Sequence, residues 1–154
     1  MFKLNRLTDY AVVLMSQMAL EPRALKNASD LARDCAVPPP TVSKILNILA
    51  KADLVKGQRG AAGGYNLSRA PEDIPVSDII EALEGPIALT ACVEGTSEIC
   101  GVEALCPMRG HWNHVNSAIK EALDRVTLAE ISIAHIPLPL HRGSRDVTVT
   151  VPLL

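Results

Sequence analysis

The chain has few aromatic residues and no long apolar run. Only 3% of its 154 residues are aromatic while 48% are hydrophobic, so the core must be built from aliphatic side chains. No stretch approaches the roughly 18 uninterrupted apolar residues of a membrane span, so no membrane partner is expected. The apolar start is interrupted by Asp9 and Gln17 and lacks a small-x-small cleavage site. We therefore predict a cytoplasmic protein whose four cysteines are reduced rather than paired as disulfides.

The sequence also lacks the residue groupings expected of an enzyme. No nucleophile and base stand in a recognisable pairing, and the glycines near residue 60 are not followed by the Gly-Lys-Ser/Thr of a phosphate-binding P-loop. We therefore expect a protein that is not an enzyme.

Positive charge is concentrated in the first half of the chain. Residues 1–70 carry ten Lys and Arg against five Asp and Glu, a formal charge of +5. Residues 71–154 carry five against twelve, a formal charge of −7. This division favours a polyanionic partner for the first half alone.

Three helical patterns and a hairpin occupy that first half. Apolar residues recur at helical spacing over Leu7–Leu20 and Thr41–Ala52, and Ser29 is placed to cap a short helix over Asp30–Cys35. The prolines at 38–40 separate the last two helices, and Pro40 is tolerated in the first turn of the second of them.

A predicted hairpin follows the third helix directly. The segment KGQRGAAGGYNLSR reads as a strand, a glycine-rich tip and a returning strand. Together with the helices, it predicts a mostly α fold in which residues 1–70 form a winged helix-turn-helix domain with a small β-hairpin wing.

The third predicted helix begins with polar side chains, a pattern that is also typical of a solvated face. The basic half, the turn and the wing together favour DNA binding instead. Side chains here reach base edges, helical N–H groups face phosphates, and a wing arginine enters a narrow minor groove. The glycines of the wing tip are expected to allow positive φ and close approach to the duplex. The expected contacts with double-stranded DNA are Pro40, Thr41, Ser43, Lys44, Asn47 and Arg59.

The second half is predicted to contain a linker and more helices. Pro71–Pro75 reads as a linker, and Ser77 is placed to cap a helix over Val76–Leu83, within a linker and cysteine-loop region of residues 71–107. Thr127 and Glu130 have the spacing of a capping box for a last short helix. The proline-broken tail, residues 134–154, is expected to be disordered.

A long helix beginning at Met108 carries one apolar stripe rather than an apolar surface all round. We expect residues 108–133 to form a dimerisation helix, because the two recognition helices of a symmetric homodimer match the two half-sites of a palindromic operator. The stripe consists of Trp112, Val115, Ile119, Ala122 and Val126.

Three of the four cysteines lie within fifteen residues, in the segment TACVEGTSEICGVEALCPMRG. Thiolates favour zinc, copper(I) or iron–sulfur clusters, so Cys92, Cys100 and Cys106 are predicted to hold a soft metal centre. Their C-x7-C-x5-C spacing is wider than the paired knuckles of structural zinc sites. Cys35, on a short helix beside Ala36 and Val37, is interpreted as a small buried hydrophobic residue.

Several segments resemble, in order, those of one known family. They are LNRLTDYAV, TVSKILNILAKADLV, RGAAGGYNLSR, VSDIIEALEGPI and the cysteine loop. Over residues 1–133 the chain is similar to the small bacterial winged-helix regulators that carry an iron–sulfur cluster, the IscR/NsrR/RirA type. The segment PPPTVSKIL looks most like the subgroup that regulates the Suf cluster-assembly operon.

The resemblance implies an iron–sulfur cluster, [4Fe–4S] or [2Fe–2S], on Cys92, Cys100 and Cys106. Arg109 stands where Isc-type members carry a histidine ligand, and it cannot ligate. Asp9 matches the position from which a partner subunit's aspartate ligates the cluster in nitric-oxide-sensing members. His111 or His114 is the alternative fourth ligand. Otherwise Asp9 caps the first helix, and the histidines are surface residues.

The resemblance implies a homodimeric, sequence-specific DNA-binding regulator, which we expect to be a repressor. Its DNA affinity would be controlled by the cluster. Genes for iron–sulfur assembly (suf) or iron homeostasis are the expected targets. The alternative is a winged-helix repressor without such a cluster, either a thiol/disulfide redox switch or a protein stabilised by zinc.

Overall fold

The computed structural model describes residues 3–60, 62–91, 93, 107 and 111–133. Its elements, in chain order, are α1 (Arg6–Ala19), α2 (Ala28–Cys35), α3 (Pro39–Lys51), β1 (Val55–Gln58), β2 (Gly64–Leu67), a 3-10 helix (Pro71–Asp73), α4 (Val76–Glu84), α5 (His111–Asp124) and α6 (Leu128–Ile133). The predicted fold class is confirmed, since the described chain is mostly helical with one antiparallel hairpin. No described helix is both long enough and apolar enough to cross a membrane.

A single aliphatic core joins the two halves. α1 packs against α2, α3, α4 and α6, and one apolar cluster includes residues from all five helices. Leu14 of α1, Ile45 of α3 and Leu128 of α6 have no solvent exposure. Only four aromatic residues occur in the whole chain, so Leu, Ile, Val, Met and Ala supply this packing.

The turn between α2 and α3 is closed by a residue in the left-handed conformation. Ala36 has φ 53°, its N–H donates to the Arg33 carbonyl, and the Val37 N–H donates to the Ala32 carbonyl at 3.1 Å. This is the Schellman pattern, in which an apolar contact follows the turn; Val37 and Ala32 are both buried. The helix-turn-helix therefore has a fixed turn although no glycine occupies it.

The predicted cap of α2 was wrong. Asn27, not Ser29, caps this helix, because its side chain accepts from the Asp30 N–H at 2.8 Å and also donates to the Asp30 carboxylate. Ser29 lies inside the helix and is exposed. The expected place of Pro40 is confirmed, since α3 begins with Pro39 and Pro40 in its first turn.

The wing pairs β1 with β2 and is also attached to the loop between α1 and α2. The cross-strand pairs run from Val55–Leu67 to Gln58–Gly64. Lys26 exchanges two backbone hydrogen bonds with Tyr65, at 3.0 and 2.9 Å. A side chain at Gly64 would lie 2.9 Å from the Lys26 backbone, so only glycine permits this approach.

The expected role of the wing glycines is thereby corrected. Gly60 does have positive φ, at 122°, but neither Gly63 nor Gly64 is a positive-φ residue. A side chain at Gly63 would collide with the carbonyl oxygen of Gln58. These two glycines are required by close contacts within the protein.

The expected linker after the wing is instead part of the core. Pro71–Asp73 forms a 3-10 helix, Pro71 is buried and Ile74 has no solvent exposure. The predicted Ser77 cap of α4 was also wrong: Pro75 precedes the helix, and Ser77 is buried with its hydroxyl donating to Asp124 of α5. The boundaries at 70, 107 and 133 remain predictions.

The end of the described chain returns to the winged helix. The Leu128 N–H donates to the Ile74 carbonyl at 2.8 Å. The capping box before α6 is confirmed, since the Thr127 N–H donates to the Glu130 carboxylate and the Glu130 N–H donates to the Thr127 hydroxyl. Residues 134–154, predicted to be disordered, lie outside the described residues.

The described part of α5 begins at His111, and Met108, its predicted start, lies outside the described residues. α5 packs against α4. Lys120 donates to Glu81 across this contact at 2.8 Å, and this hydrogen bond raises the pKa of Lys120. Val126, the last residue of the predicted stripe, lies beyond the end of α5 and is exposed.

Candidate nucleic-acid interface and metal centre

The two faces of α3 differ completely in exposure. Its core face buries Val42, Ile45, Leu46 and Leu49. The opposite face carries the predicted DNA contacts: Pro40, Ser43, Lys44 and Asn47 are exposed, and Thr41 is half-buried. Because positions three and four apart share a helix face, the structure brings these side chains together on one surface.

The first turn of α3 does not offer the amide groups that were expected to face phosphates. Pro39 and Pro40 have no N–H, and the Thr41 N–H donates to the Pro38 carbonyl at 2.9 Å. No unpaired N–H is therefore left in this turn. Anion binding here falls to side chains such as Lys44, which is exposed.

Arg59 follows β1 directly and is exposed at the turn of the wing. The wing offers a second cation, Lys56, which is exposed on β1 opposite Asn66. Lys56 is not among the contacts predicted from the sequence. The alternation of side chains along a strand would have predicted that Lys56 is exposed, because Val55 faces the core and the next residue must face away.

We expect Arg59→Ala to weaken operator binding by about 1–3 kcal/mol without unfolding the protein. The guanidinium is exposed and no described contact of the fold depends on it, so the loss would come from DNA contacts. The measurement is a titration of a palindromic duplex selected from a random library, repeated at several salt concentrations. The slope of log affinity against log salt should become shallower.

The matched control is Arg125→Ala, which removes an exposed arginine after α5, paired only loosely with Glu121 at 4.0 Å. It should bind the operator as the wild type does. An Arg59→Ala protein that retains wild-type affinity and salt slope would remove Arg59 from the interface.

Cys92, Cys100 and Cys106 lie outside the described residues, as does Arg109. Within the described ranges there is no group of three or more His, Cys, Asp or Glu side chains that could hold a metal.

The candidate fourth ligands are described and accessible. Asp9 is exposed in the first turn of α1, and His111 and His114 are exposed at the start of α5. Asp9 does not cap α1, because the cap is Asn5, whose side chain accepts from the Thr8 N–H at 3.0 Å.

Asp9 lines a surface depression of about 570 Å³ at the start of α1. Lys3 and Arg6 line it as well, so cations flank the carboxylate. Close by, Glu84 at the end of α4 accepts from the Asn5 N–H at 3.0 Å and from the Thr8 hydroxyl at 2.6 Å. These bonds connect the start of α1 to the helix that leads into the cysteine loop.

Cys35 is half-buried and packs against the core, which agrees with the interpretation of a small apolar residue. Burial raises the pKa of its thiol, and the nearby Asp34 carboxylate raises it further. Since the thiolate is the nucleophile and metal ligand, Cys35 is a poor candidate for either role.

The geometry is that of a helix-turn-helix with an attached wing, and comparison with known proteins decides the family. The Rrf2 family, described as "Iron-dependent Transcriptional regulator", matches residues 4–133. The chain belongs to the Rrf2 family. Its members are transcriptional regulators that bind DNA, so the expectation of a protein that is not an enzyme is confirmed.

Relatives of known sequence support this assignment. The chain is 30% identical over 130 residues to the HTH-type transcriptional regulator NsrR of Bacillus licheniformis, covering 84% of this chain and 91% of that one. It is also 30% identical over 133 residues to protein rrf2 of Nitratidesulfovibrio vulgaris, covering 84% and 86%.

Solved structures show the same fold. CymR, the global cysteine regulator of B. subtilis, superposes with a TM-score of 0.68 at 29% identity, covering 87% of this chain and 98% of that one. T. potens IscR superposes with a TM-score of 0.64 at 29% identity, covering 92% and 94%. The winged-helix family resemblance is thereby confirmed, whereas the Suf-regulating subgroup stays a prediction.

Proposed function

We propose that this Rrf2-family regulator is a homodimeric repressor whose affinity for a palindromic operator is controlled by an iron–sulfur cluster. The observation that carries the proposal is that Cys92, Cys100 and Cys106 all lie within the segment matched by a family of iron-dependent regulators. The target genes would be those of iron–sulfur assembly (suf) or iron homeostasis.

The exposed face of α3 and the wing support the DNA-binding part. Lys44 of α3, Lys56 of β1 and Arg59, which follows β1, are all exposed, and α3 packs against β1. In this proposal Thr41, Ser43 and Asn47 read base edges from the major groove, and Pro40 fixes the start of the helix. Arg59 of the wing enters the adjacent minor groove.

The apolar exposure of α5 supports the homodimer. Asn116 is the only residue of its described length that is buried, and Val115 is 42% exposed. Ala122 is exposed, while Trp112 and Ile119 are only partly covered. A second copy of the same helix would cover this stripe and place two recognition helices about one DNA turn apart.

The candidate ligands support the proposal of an iron–sulfur cluster. Three thiolates and one further oxygen or nitrogen ligand suit a [4Fe–4S] or [2Fe–2S] cluster. Asp9 of the partner chain is the proposed fourth ligand, and His111 or His114 is the alternative. A cluster held by thiolates carries net negative charge, which Lys3 and Arg6 beside Asp9 would offset. When bound, it would make the protein responsive to oxygen, nitric oxide or iron supply.

The hydrogen bonds of Glu84 provide a route from the loop to the DNA-binding half. Glu84 ends α4 and accepts from Asn5 and Thr8 at the start of α1. α1 in turn packs against α3. In this proposal, Asp9 would be held by a cluster on the partner's loop and would restrain α1, and loss of that contact would change the separation of the two recognition helices.

The deciding experiment compares operator binding by protein purified without air and by the same protein after its metal is removed with a chelator. We expect the two affinities to differ by about tenfold or more, which corresponds to about 1.4 kcal/mol. Equal affinities would show that a cluster, if held, does not control DNA binding.

The similarity to CymR favours one second candidate, a thiol switch. The S. aureus CymR structure, with a TM-score of 0.61 at 25% identity, is described as an oxidised form. Visible absorption separates the candidates, since thiolate-bound iron is coloured whereas a disulfide or a zinc site is colourless. A colourless protein that loses operator affinity on oxidation would support the thiol switch.

A further inference from the structure

α5 buries a polar residue where an apolar one would be expected. Asn116 is 7% exposed and is the only buried residue of the described helix. Burying an amide costs free energy unless each of its polar atoms finds a partner. An asparagine in this position therefore indicates that its hydrogen bonds matter more than apolar packing.

Both ends of the Asn116 side chain bind the backbone of one short segment. Its Nδ2 donates to the Ile87 carbonyl at 2.8 Å, and its Oδ1 accepts from the Leu89 N–H at 3.1 Å. The side chain thus does what a neighbouring β-strand would do, satisfying a carbonyl and an amide two residues apart. No aliphatic side chain of similar size can replace it.

The segment held by Asn116 is the stem of the cysteine loop, which we define as residues 87–89. Gly85, with φ 88°, ends α4 and turns the chain into this stem. Ile87 is buried, and Cys92 follows Leu89 by three residues. The stem therefore lies only a few residues before Cys92 in the chain.

Side-chain hydrogen bonds connect α5 to α4. Lys120 donates to Glu81, and the Ser77 hydroxyl donates to Asp124. Asn116 therefore connects the stem to a helix that is itself bonded to α4. It also relates the loop to the helix that carries the apolar stripe.

We propose that Asn116 is a positioning residue that fixes the stem of the cysteine loop on α5 and so determines the environment of the Cys92 thiol. The importance of this placement for sensing rests on the proposed function. The placement itself depends on the two hydrogen bonds of Asn116.

The test uses the full chain with the substitution Asn116→Leu, which keeps the number and branching of the side-chain heavy atoms and removes both hydrogen bonds. Hydrogen exchange at the Leu89 amide should become at least about tenfold faster, because that N–H loses its acceptor. Alkylation of Cys92 by iodoacetamide in metal-free protein, followed by peptide mass spectrometry, should become at least about threefold faster as the stem is released.

Ser117→Ala is the matched control, since Ser117 is the next residue of α5 and is exposed. It should leave both rates unchanged. If Asn116→Leu does not fold, Asn116→Asp replaces it, because that side chain keeps an acceptor for Leu89 and loses the donor to Ile87. With that variant the Leu89 amide should remain protected while the Cys92 rate still rises.

Faster exchange at Leu89 with an unchanged alkylation rate of Cys92 would overturn the proposal. The hydrogen bonds of Asn116 would then hold the stem without affecting the Cys92 thiol. In Asn116→Leu, unchanged exchange at Leu89 would overturn it as well. A wild-type protein that is colourless when purified without air would contradict the proposed function instead. The two rates in metal-free protein would still decide the role of Asn116.

Discussion

Leu128→Ala is expected to lower the free energy of unfolding by about 2–5 kcal/mol, the largest stability effect that we predict. Leu128 is the first residue of α6, has no solvent exposure and belongs to the apolar core. α6 packs against α1, so the cavity would open between the end of the described chain and the winged helix. Chemical denaturation at fixed chain concentration measures the effect.

Leu25→Ala provides the comparison, since it removes the same side chain from a position that is 40% exposed. It should cost well under about 1 kcal/mol. If the two substitutions cost the same, α6 does not stabilise the winged helix, and the return of the chain to α1 would have to be reconsidered.

Local patterns predicted the parts of this fold that depend on neighbouring residues alone. The capping box of Thr127 and Glu130 is one example, because both of its hydrogen bonds form within four residues. The place of Pro40 in the first turn of α3 is another. Such features follow from steric and hydrogen-bonding rules that act over one helical turn.

The predictions that were wrong concern residues whose role is set by a partner far away in the sequence. Ser77 has the local pattern of a helix cap, but its hydroxyl is used by Asp124, 47 positions further along the chain. Gly64 was interpreted through its conformational freedom, yet it is required by the approach of the Lys26 backbone. Such partners are visible only after the chain has folded.

The candidate site also combines features set by neighbouring residues with features set by distant ones. The exposed face of α3 follows from helical periodicity, so the residues predicted for DNA contact do lie on one surface. The two hydrogen bonds of Asn116 could not be predicted, because its partners are the backbone groups of Ile87 and Leu89. Any side chains at those two positions would leave the same carbonyl and amide, so the sequence carries little signal for it.

The loop and the DNA-binding half are connected by polar contacts at both ends of the segment between α4 and Cys92. Glu84 binds the start of α1, and Asn116 of α5 binds the stem three residues later. In the proposed mechanism, a change in the loop would act on α1 through Glu84 and on the proposed dimer helix through Asn116. This arrangement favours a regulator in which sensing alters dimer geometry rather than the contacts of a single α3.

Replacing Cys92, Cys100 or Cys106 with Ala, one at a time, is expected to abolish the visible absorbance and the iron content of protein purified without air. Each change removes one of only three thiolate ligands on the proposed cluster, and Arg109 cannot substitute for it. Mass spectrometry under native conditions on the wild type would distinguish [2Fe–2S] from [4Fe–4S] and is expected to find one cluster per chain.

Cys35→Ala is the matched control for these three variants. Its thiol is half-buried, and its raised pKa keeps it protonated near neutral pH, so this variant should retain the wild-type colour and iron content. If the three loop variants also retain both, the loop is not the cluster site. If only the loop variants lose iron and all four still fold, the difference in operator affinity between metal-bound and metal-free protein should disappear in those three alone.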